Sequence, residues 1–307
     1  MTRKFFLVVV LALQVVISYG CDACGCSFSG LGIGLLTGYD RTFVGIGLQT
    51  ANYSSTQDHQ PSIQDRLYVL DVSLRIRLNA RWQFQANVPF RHNLRNEPGF
   101  KGLRQGLSDI RIQGNYRILN QLPLGSKTFL TLDAGAGIQM PTGRYEYDLV
   151  HQESLPDNFS LGSGSWAPMF LINAILTHSD DGLILTGQYM QYLTNTRSIR
   201  FGPQTFLRTV AFHNVVLSNG WILSPFGGLQ AEIQGWNRDE NDLRMTDTYG
   251  YALSLPAGVG LDVQSWVLNV STAVPVYQSF ANGAMVAKPK FQVQFIFAFK
   301  NFKILKQ

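Results

Sequence analysis

Residues 65–93 read DRLYVLDVSLRIRLNARWQFQANVPFRHN, and the chemistry of this stretch changes at every second position. Tyr68, Leu70, Val72, Leu74, Ile76 and Leu78 occupy one parity, while Asp71, Ser73, Arg75, Arg77 and Asn79 occupy the other. After a turn near Ala80 the alternation resumes, with Trp82, Phe84, Ala86, Val88 and Phe90 set against Gln83, Gln85, Asn87 and Arg91. Period two is the signature of a strand whose faces meet different surroundings. A soluble sandwich would also bury one face. Strands this long, the second opened by a tryptophan, fit the wall of a transmembrane barrel better, with lipid outside and water inside.

About twelve such segments are expected along the chain, an even number as bacterial single-chain barrels require. Their spans are 42–53, 65–78, 82–92, 106–119, 127–140, 165–177, 183–193, 204–217, 221–234, 248–263, 266–278 and 289–300. The fold class is all-β, an antiparallel up-and-down barrel. Long polar connections (54–64, 93–105, 141–164, 194–203, 235–247 and 279–288) alternate with short ones near Ala80, Pro123, Asp180, Asn219 and Ser265. Long loops outside the cell and short turns in the periplasm is the asymmetry of an outer-membrane barrel. It places both chain ends in the periplasm.

Trp82, Trp221 and Trp266 each follow a short turn, where a periplasmic aromatic girdle belongs; Tyr68, Trp166, Tyr249 and Tyr251 lie beside long loops, where the opposite girdle belongs. In the last strand Phe291, Val293, Phe295, Phe297 and Phe299 alternate with Gln292 and Gln294, a pattern resembling the one read by outer-membrane assembly machinery. In strands six to eight both faces are partly apolar. Either the barrel is filled there or the register differs.

The chain of 307 residues has no linker-like break, so one domain is expected: a signal peptide at 1–20, an N-terminal segment at 21–41 and the barrel at 42–307. Arg3 and Lys4 precede an apolar run from Phe5 to Ile17, and Ser18 and Gly20 supply the small residues of an export cleavage site. No other stretch approaches the roughly 18 apolar residues of a spanning helix. Removing Arg3 and Lys4 with the signal takes the formal charge from +5 to +3, too weak and dispersed for a nucleic-acid partner.

Chemistry gathers first at Cys21-Asp22-Ala23-Cys24-Gly25-Cys26, which holds all three cysteines of the chain. Thiolates at this spacing suit a soft metal, Cu(I) or Zn(II), with Asp22 or the terminal amine as a further ligand. A local disulfide in an oxidising compartment and lipidation of Cys21 are the competing readings. His59, His92, His151, His178 and His213 share no metal-binding spacing. Gly30, Gly32 and Gly34 lack the flanking strand and helix of a phosphate loop.

The inward parity collects Asp71, Arg75, Arg77, Arg91, Asp109, Arg111, Arg117 and Asp133 as pore-lining residues. Between neighbouring strands they would pair into ladders, and facing a pore they would set a field that selects solutes. About twelve strands leave a narrow bore that side chains or an inward-folded segment would nearly close. A lipolytic His213, Ser218 and Asn219 arrangement is disfavoured, because Ser218-Asn219-Gly220 reads as a hairpin turn. No catalytic arrangement is expected.

Three segments, Arg81-Trp82-Gln83-Phe84-Gln85-Ala86-Asn87-Val88-Pro89-Phe90, Gly106-Leu107-Ser108-Asp109-Ile110-Arg111 and Gly137-Ile138-Gln139-Met140-Pro141-Thr142-Gly143, carry a family resemblance, with Leu161-Gly162-Ser163-Gly164-Ser165 beside them. Together they resemble the transporter-like outer-membrane barrel family named for the MetA pathway of phenol degradation. The N-terminal cysteine cluster is similar to a variant on such barrels in Bacteroidetes-type bacteria, and departs from the family's general pattern. The resemblance implies a transporter in the outer membrane of a Gram-negative bacterium. The expected function is a channel for small solutes, linked to soft-metal handling through the cysteine segment. The alternative is a closed barrel that docks a periplasmic metal or redox carrier. Outer-membrane lipid and the assembly machinery are the further expected partners.

Overall fold

The computed structural model describes residues 41–55, 63–145 and 159–299. The signal segment, Cys21, Cys24 and Cys26, the glycines Gly30 to Gly34, His59 and His151 lie outside the described residues. Twelve strands form the wall. They are β1 (Thr42–Ser55), β2 (Gln64–Arg77), β3 (Trp82–Glu97), β4 in two pieces (Phe100–Leu107 and Ile110–Pro123), β5 (Thr128–Met140) and β6 (Ala167–His178). Then follow β7 (Asp181–Met190), β8 (Gln204–His213, resumed at Val215–Val216), β9 (Ile222–Gln234), β10 (Gly250–Val263), β11 (Trp266–Phe280) and β12 (Met285–Ala287 and Lys290–Phe299).

Each strand pairs antiparallel with the next, and β12 returns to β1 through the register Thr42↔Phe299 to Thr50↔Phe291. Closure leaves no free edge, so the strands at membrane depth find their backbone partners within the wall. The inner and outer rows follow the alternation of the sequence. On β1 and β2, Val44, Ile46, Leu48, Leu70, Val72 and Leu74 point outward and are exposed, while Ser73 and Arg75 are buried inside. The rings of Phe291, Val293, Phe295 and Phe297 continue the apolar outer surface on β12. Exposure of this kind is stable only against lipid.

The short turns lie where expected. Between β2 and β3 the Asn79 side-chain oxygen accepts from the amides of Arg81 and Trp82, both at 2.8 Å. Between β8 and β9, Gly220 adopts a φ of +78° and Leu217 N donates to Trp221 O at 2.8 Å, which makes Ser218-Asn219-Gly220 a hairpin turn. Trp82 packs on Tyr116 and Trp221 on Trp266 beside these turns, while Trp236, Tyr249, Tyr251 and Tyr277 form a continuous aromatic row at the other rim.

One expected loop is instead strand. Residues 93–105 continue the β3–β4 pairing as Phe90↔Leu107 to Glu97↔Phe100, closed by Pro98-Gly99 with Gly99 at a φ of +83°. The apolar outer parity fades beyond Phe90, yet the backbone hydrogen bonds run on, so alternation stopped before the strand did. Long and short connections therefore do not alternate strictly. In β6 to β8 the register follows parity, and the inner face is partly apolar: Met169, Leu171 and Val210 are buried inside beside the polar Asn173 and Gln188.

Candidate functional site

The interior of the barrel is the candidate site, and its parts are set by parity, bulges and one inward-folded connection. Between Asn87↔Arg111 and Phe90↔Leu107, β4 spends one residue more than β3, a bulge at Ser108-Asp109 that aims both side chains inward. Asp109 becomes a hub. Its Oδ1 accepts from Gly143 N at 3.0 Å, and its Oδ2 accepts from Ser163 N at 2.8 Å, Ser163 Oγ at 2.7 Å and Gln139 Nε2 at 3.1 Å. Ser108 Oγ donates to Leu161 O. A Cβ on Gly162 would stand 2.5 Å from Asp109 Oδ1, so only glycine lets the backbone approach this closely.

This junction explains three motifs at once. Gly106 to Arg111, Gly137 to Gly143 and Leu161 to Ser165 are far apart in sequence and meet around one carboxylate. Asp109, one of the inward charges expected along the pore, anchors this connection. The anchored residues Phe159, Ser160, Leu161 and Ser163 are buried inside the rim. Phe159 packs among Tyr53, Leu67, Val69, Phe280 and Met285, its carbonyl accepts from Asn93 Nδ2 at 3.1 Å, and the Arg95 guanidinium lies 5.7 Å from its ring centre.

The other inward charges are mostly committed to partners. Arg117 pairs with Asp133 across β4 and β5, Nε to Oδ1 at 2.9 Å, both side chains almost fully buried. Arg111 reaches over β3 toward Asp71 at 3.9 Å, and Asn87 Nδ2 donates to the other Asp71 oxygen at 2.8 Å. Arg75 donates to Gln85 Oε1 at 2.9 Å above the Phe43 ring. Arg77 donates through Nε to Asn79 O at 3.0 Å, beside the turn. Arg91 projects from the same inner row of β3 as Asn87 and Asn93.

Three inward pairs escaped the sequence reading. Asp65 and Arg95 form a buried bidentate pair at 2.6 and 2.7 Å. Arg95 lies beyond the expected strand end at His92, on the part of β3 that continues to Glu97. Lys290 Nζ meets Glu232 Oε2 at 2.6 Å, a link from β12 to β9 that passes over β10 and β11 and so crosses the interior rather than following the wall. Arg41 and Asp262 meet at 3.4 Å near the chain's entry to β1. Inward parity alone would have found Glu232, Asp262 and Lys290.

A continuous inner row also emerges from the registers. Arg117↔Asp133, Asp133↔Asn173, Asn173↔Thr186, Thr186↔Arg208, Arg208↔Gln230 and Gln230↔Ser254 join neighbouring strands from β4 to β10 in a belt of polar side chains. Below it on β7 to β9 sit Ile184, Val210, Phe212 and Phe226.

The histidines are less dispersed than their spacing suggests. The registers Thr128↔His178, His178↔Asp181 and Asp181↔His213 set four polar residues in one outward row beside the short turns. His213 Nδ1 lies 2.8 Å from Asp181 Oδ1, and His178 Nδ1 lies 2.8 Å from Thr128 Oγ1. Among the described residues, no group of three His, Cys, Asp or Glu side chains converges as metal ligands. His92 stands on β3 with Nδ1 3.1 Å from Gln105 Oε1.

Solved barrels share this architecture. An outer membrane channel from Pseudomonas putida F1 matches with a TM-score of 0.63 over 84% of this chain and 96% of its own, at 12% identity. The β domain of the Bordetella autotransporter BrkA matches with 0.50 over 85% and 100%, at 11% identity. The transport unit of the autotransporter AIDA-I from Escherichia coli matches with 0.50 over 92% and 100%, at 10% identity. No family model matches the chain, and no curated protein matches it in sequence. At such identities the likeness concerns the fold alone: the chain is a closed, twelve-stranded barrel of the outer-membrane type.

Proposed function

We propose that the protein is an outer-membrane channel for small solutes, with the long connections outside the cell and both chain ends in the periplasm. One observation carries this reading. A wall closed by the β12–β1 register turns its apolar parity outward and encloses a belt of polar side chains running from β4 to β10. Lipid outside with hydrogen-bonding groups inside is the arrangement a water-filled pore needs. In this reading Asp71, Arg77, Arg91 and Arg111 line the path, Arg75, Arg117 and Asp133 are the pore charges held buried against partners beside it, and Asp109 holds the rim loop that narrows it. No reaction is assigned. The motif resemblance to the phenol-degradation barrel family, and the fold likeness to a channel, agree with transport without naming a solute.

Soft-metal handling is the finer version, resting on Cys21, Cys24 and Cys26 close to the first strand. The second reading, a closed barrel docking a periplasmic metal or redox partner, is favoured by Phe159 and Leu161 folding inside the rim. Purified protein in planar bilayers decides between them: discrete conductance steps are expected, and a folded but silent barrel rejects the channel. The same preparation, reduced and assayed for Cu and Zn beside a variant with the three cysteines changed to Ser, tests the metal version. Equal metal content in the two rejects it.

A further inference from the structure

We propose that Arg208 forms an anion site at mid-height in the barrel, so that the channel prefers small anions, chloride or a monocarboxylate, over cations; this rests on the channel reading and names its solute class. Arg208 occupies the inner row of β8, flanked in register by Thr186 on β7 and Gln230 on β9. Its guanidinium carbon lies 5.9 Å from the Phe226 ring centre. Its Nε is shielded from solvent and has no hydrogen-bond acceptor among the described residues. A buried donor without a protein partner marks a place for water or an ion.

Charge bookkeeping around it points to an anion. The acids on the belt and beside it are already taken. Asp133, on the same belt, is paired with Arg117 at 2.9 Å. Glu232 is the next inward acid on β9, and it is held by Lys290 at 2.6 Å and by Gln230 Nε2 at 2.7 Å. Lys290 and Glu232 cancel, leaving the guanidinium as the net local charge among the described residues. Beneath it Ile184, Val210 and Phe226 exclude water from one side. In a narrow bore with low-dielectric walls such a charge focuses the field and raises the local concentration of counter-ions. Planar guanidinium is also the side chain best matched to a carboxylate, through two parallel N–H donors.

The test compares the wild type, Arg208→Gln and Arg208→Lys in planar bilayers under a KCl gradient, with folding verified by heat-modifiable gel mobility. The wild type should show a reversal potential on the anion side. Arg208→Gln should lower the chloride-to-potassium permeability ratio by about threefold or more, and Arg208→Lys should retain most of it. Conductance with a ratio unchanged in Arg208→Gln overturns the anion site and leaves the channel standing. A silent folded barrel instead removes the channel, and chloride line broadening by NMR then judges the site alone. Broadening in the wild type that is lost in Arg208→Gln supports the site, and equal broadening overturns it.

Discussion

The inner wall on β2 to β5 and the inner wall on β6 to β9 are built on different physics. On β2 to β5, Ser73, Arg75, Gln83, Gln85, Asn87, Gln113, Asn115, Arg117 and Asp133 are buried polar groups, and several are tied into directional contacts such as Gln85 Nε2 to Asn87 Oδ1 at 3.0 Å. On β6 to β9, Ala167, Met169, Leu171, Met190, Val210 and Phe226 share the inward rows with Asn173, Gln188 and Gln230, and these apolar side chains pack without directionality. Both walls present apolar side chains to the outside. The alternation of a barrel strand therefore reports the lipid face reliably and the interior only where polar side chains meet one another there. A filled sector can be apolar on both sides and remain a strand.

The largest effect is expected on the polar wall. Arg117→Met leaves Asp133 charged, buried and without its 2.9 Å partner, which costs about 3–5 kcal/mol of unfolding free energy. The double change Arg117→Met with Asp133→Leu removes both charges and should recover most of that loss. Urea titration of the barrel folded in detergent micelles measures each. A single variant as stable as the wild type would mean that water, not Arg117, solvates Asp133, and the contrast between the walls would lose its basis.

A smaller loss is expected from Ile184→Val on the apolar wall. Ile184 packs against Val210 and Phe226, and shortening it by one methylene costs about 0.5–1.5 kcal/mol. Being half-buried, it belongs at the low end. Should it exceed the Arg117→Met loss in the same titration, packing rather than pairing would dominate the interior, and the two walls would exchange roles.

How much of this was legible in the sequence follows from the same contrast. The twelve strands, the five short turns and the outward rows came from period two and turn residues, because lipid enforces apolarity at each outward position. The β3–β4 extension was missed because above the lipid nothing enforces alternation, while backbone pairing persists to Glu97↔Phe100. The hub role of Asp109 was hidden for another reason: its donors come from Gln139, Gly143 and Ser163. Parity says that a side chain points inward and cannot say whether a loop will meet it there. Glu232 and Lys290 lay on legible parities, but the chord between them depends on curvature that brings β9 and β12 across from each other.

The smallest effect is expected outside both walls, in the outward row of Thr128, His178, Asp181 and His213 next to the short turns. The His213–Asp181 contact is short, at 2.8 Å, yet the two side chains are 56% and 68% exposed. Water and lipid headgroups compete for the same atoms there, so the pair gains little beyond what each group already has in solvent. Asp181→Asn should change stability by about 0.2–1 kcal/mol, less at high salt, by the same urea titration. A loss comparable with that of Arg117→Met would show that this row is shielded as deeply as the polar interior. The outer face near the turns would then have to be counted as a third region with its own buried electrostatics.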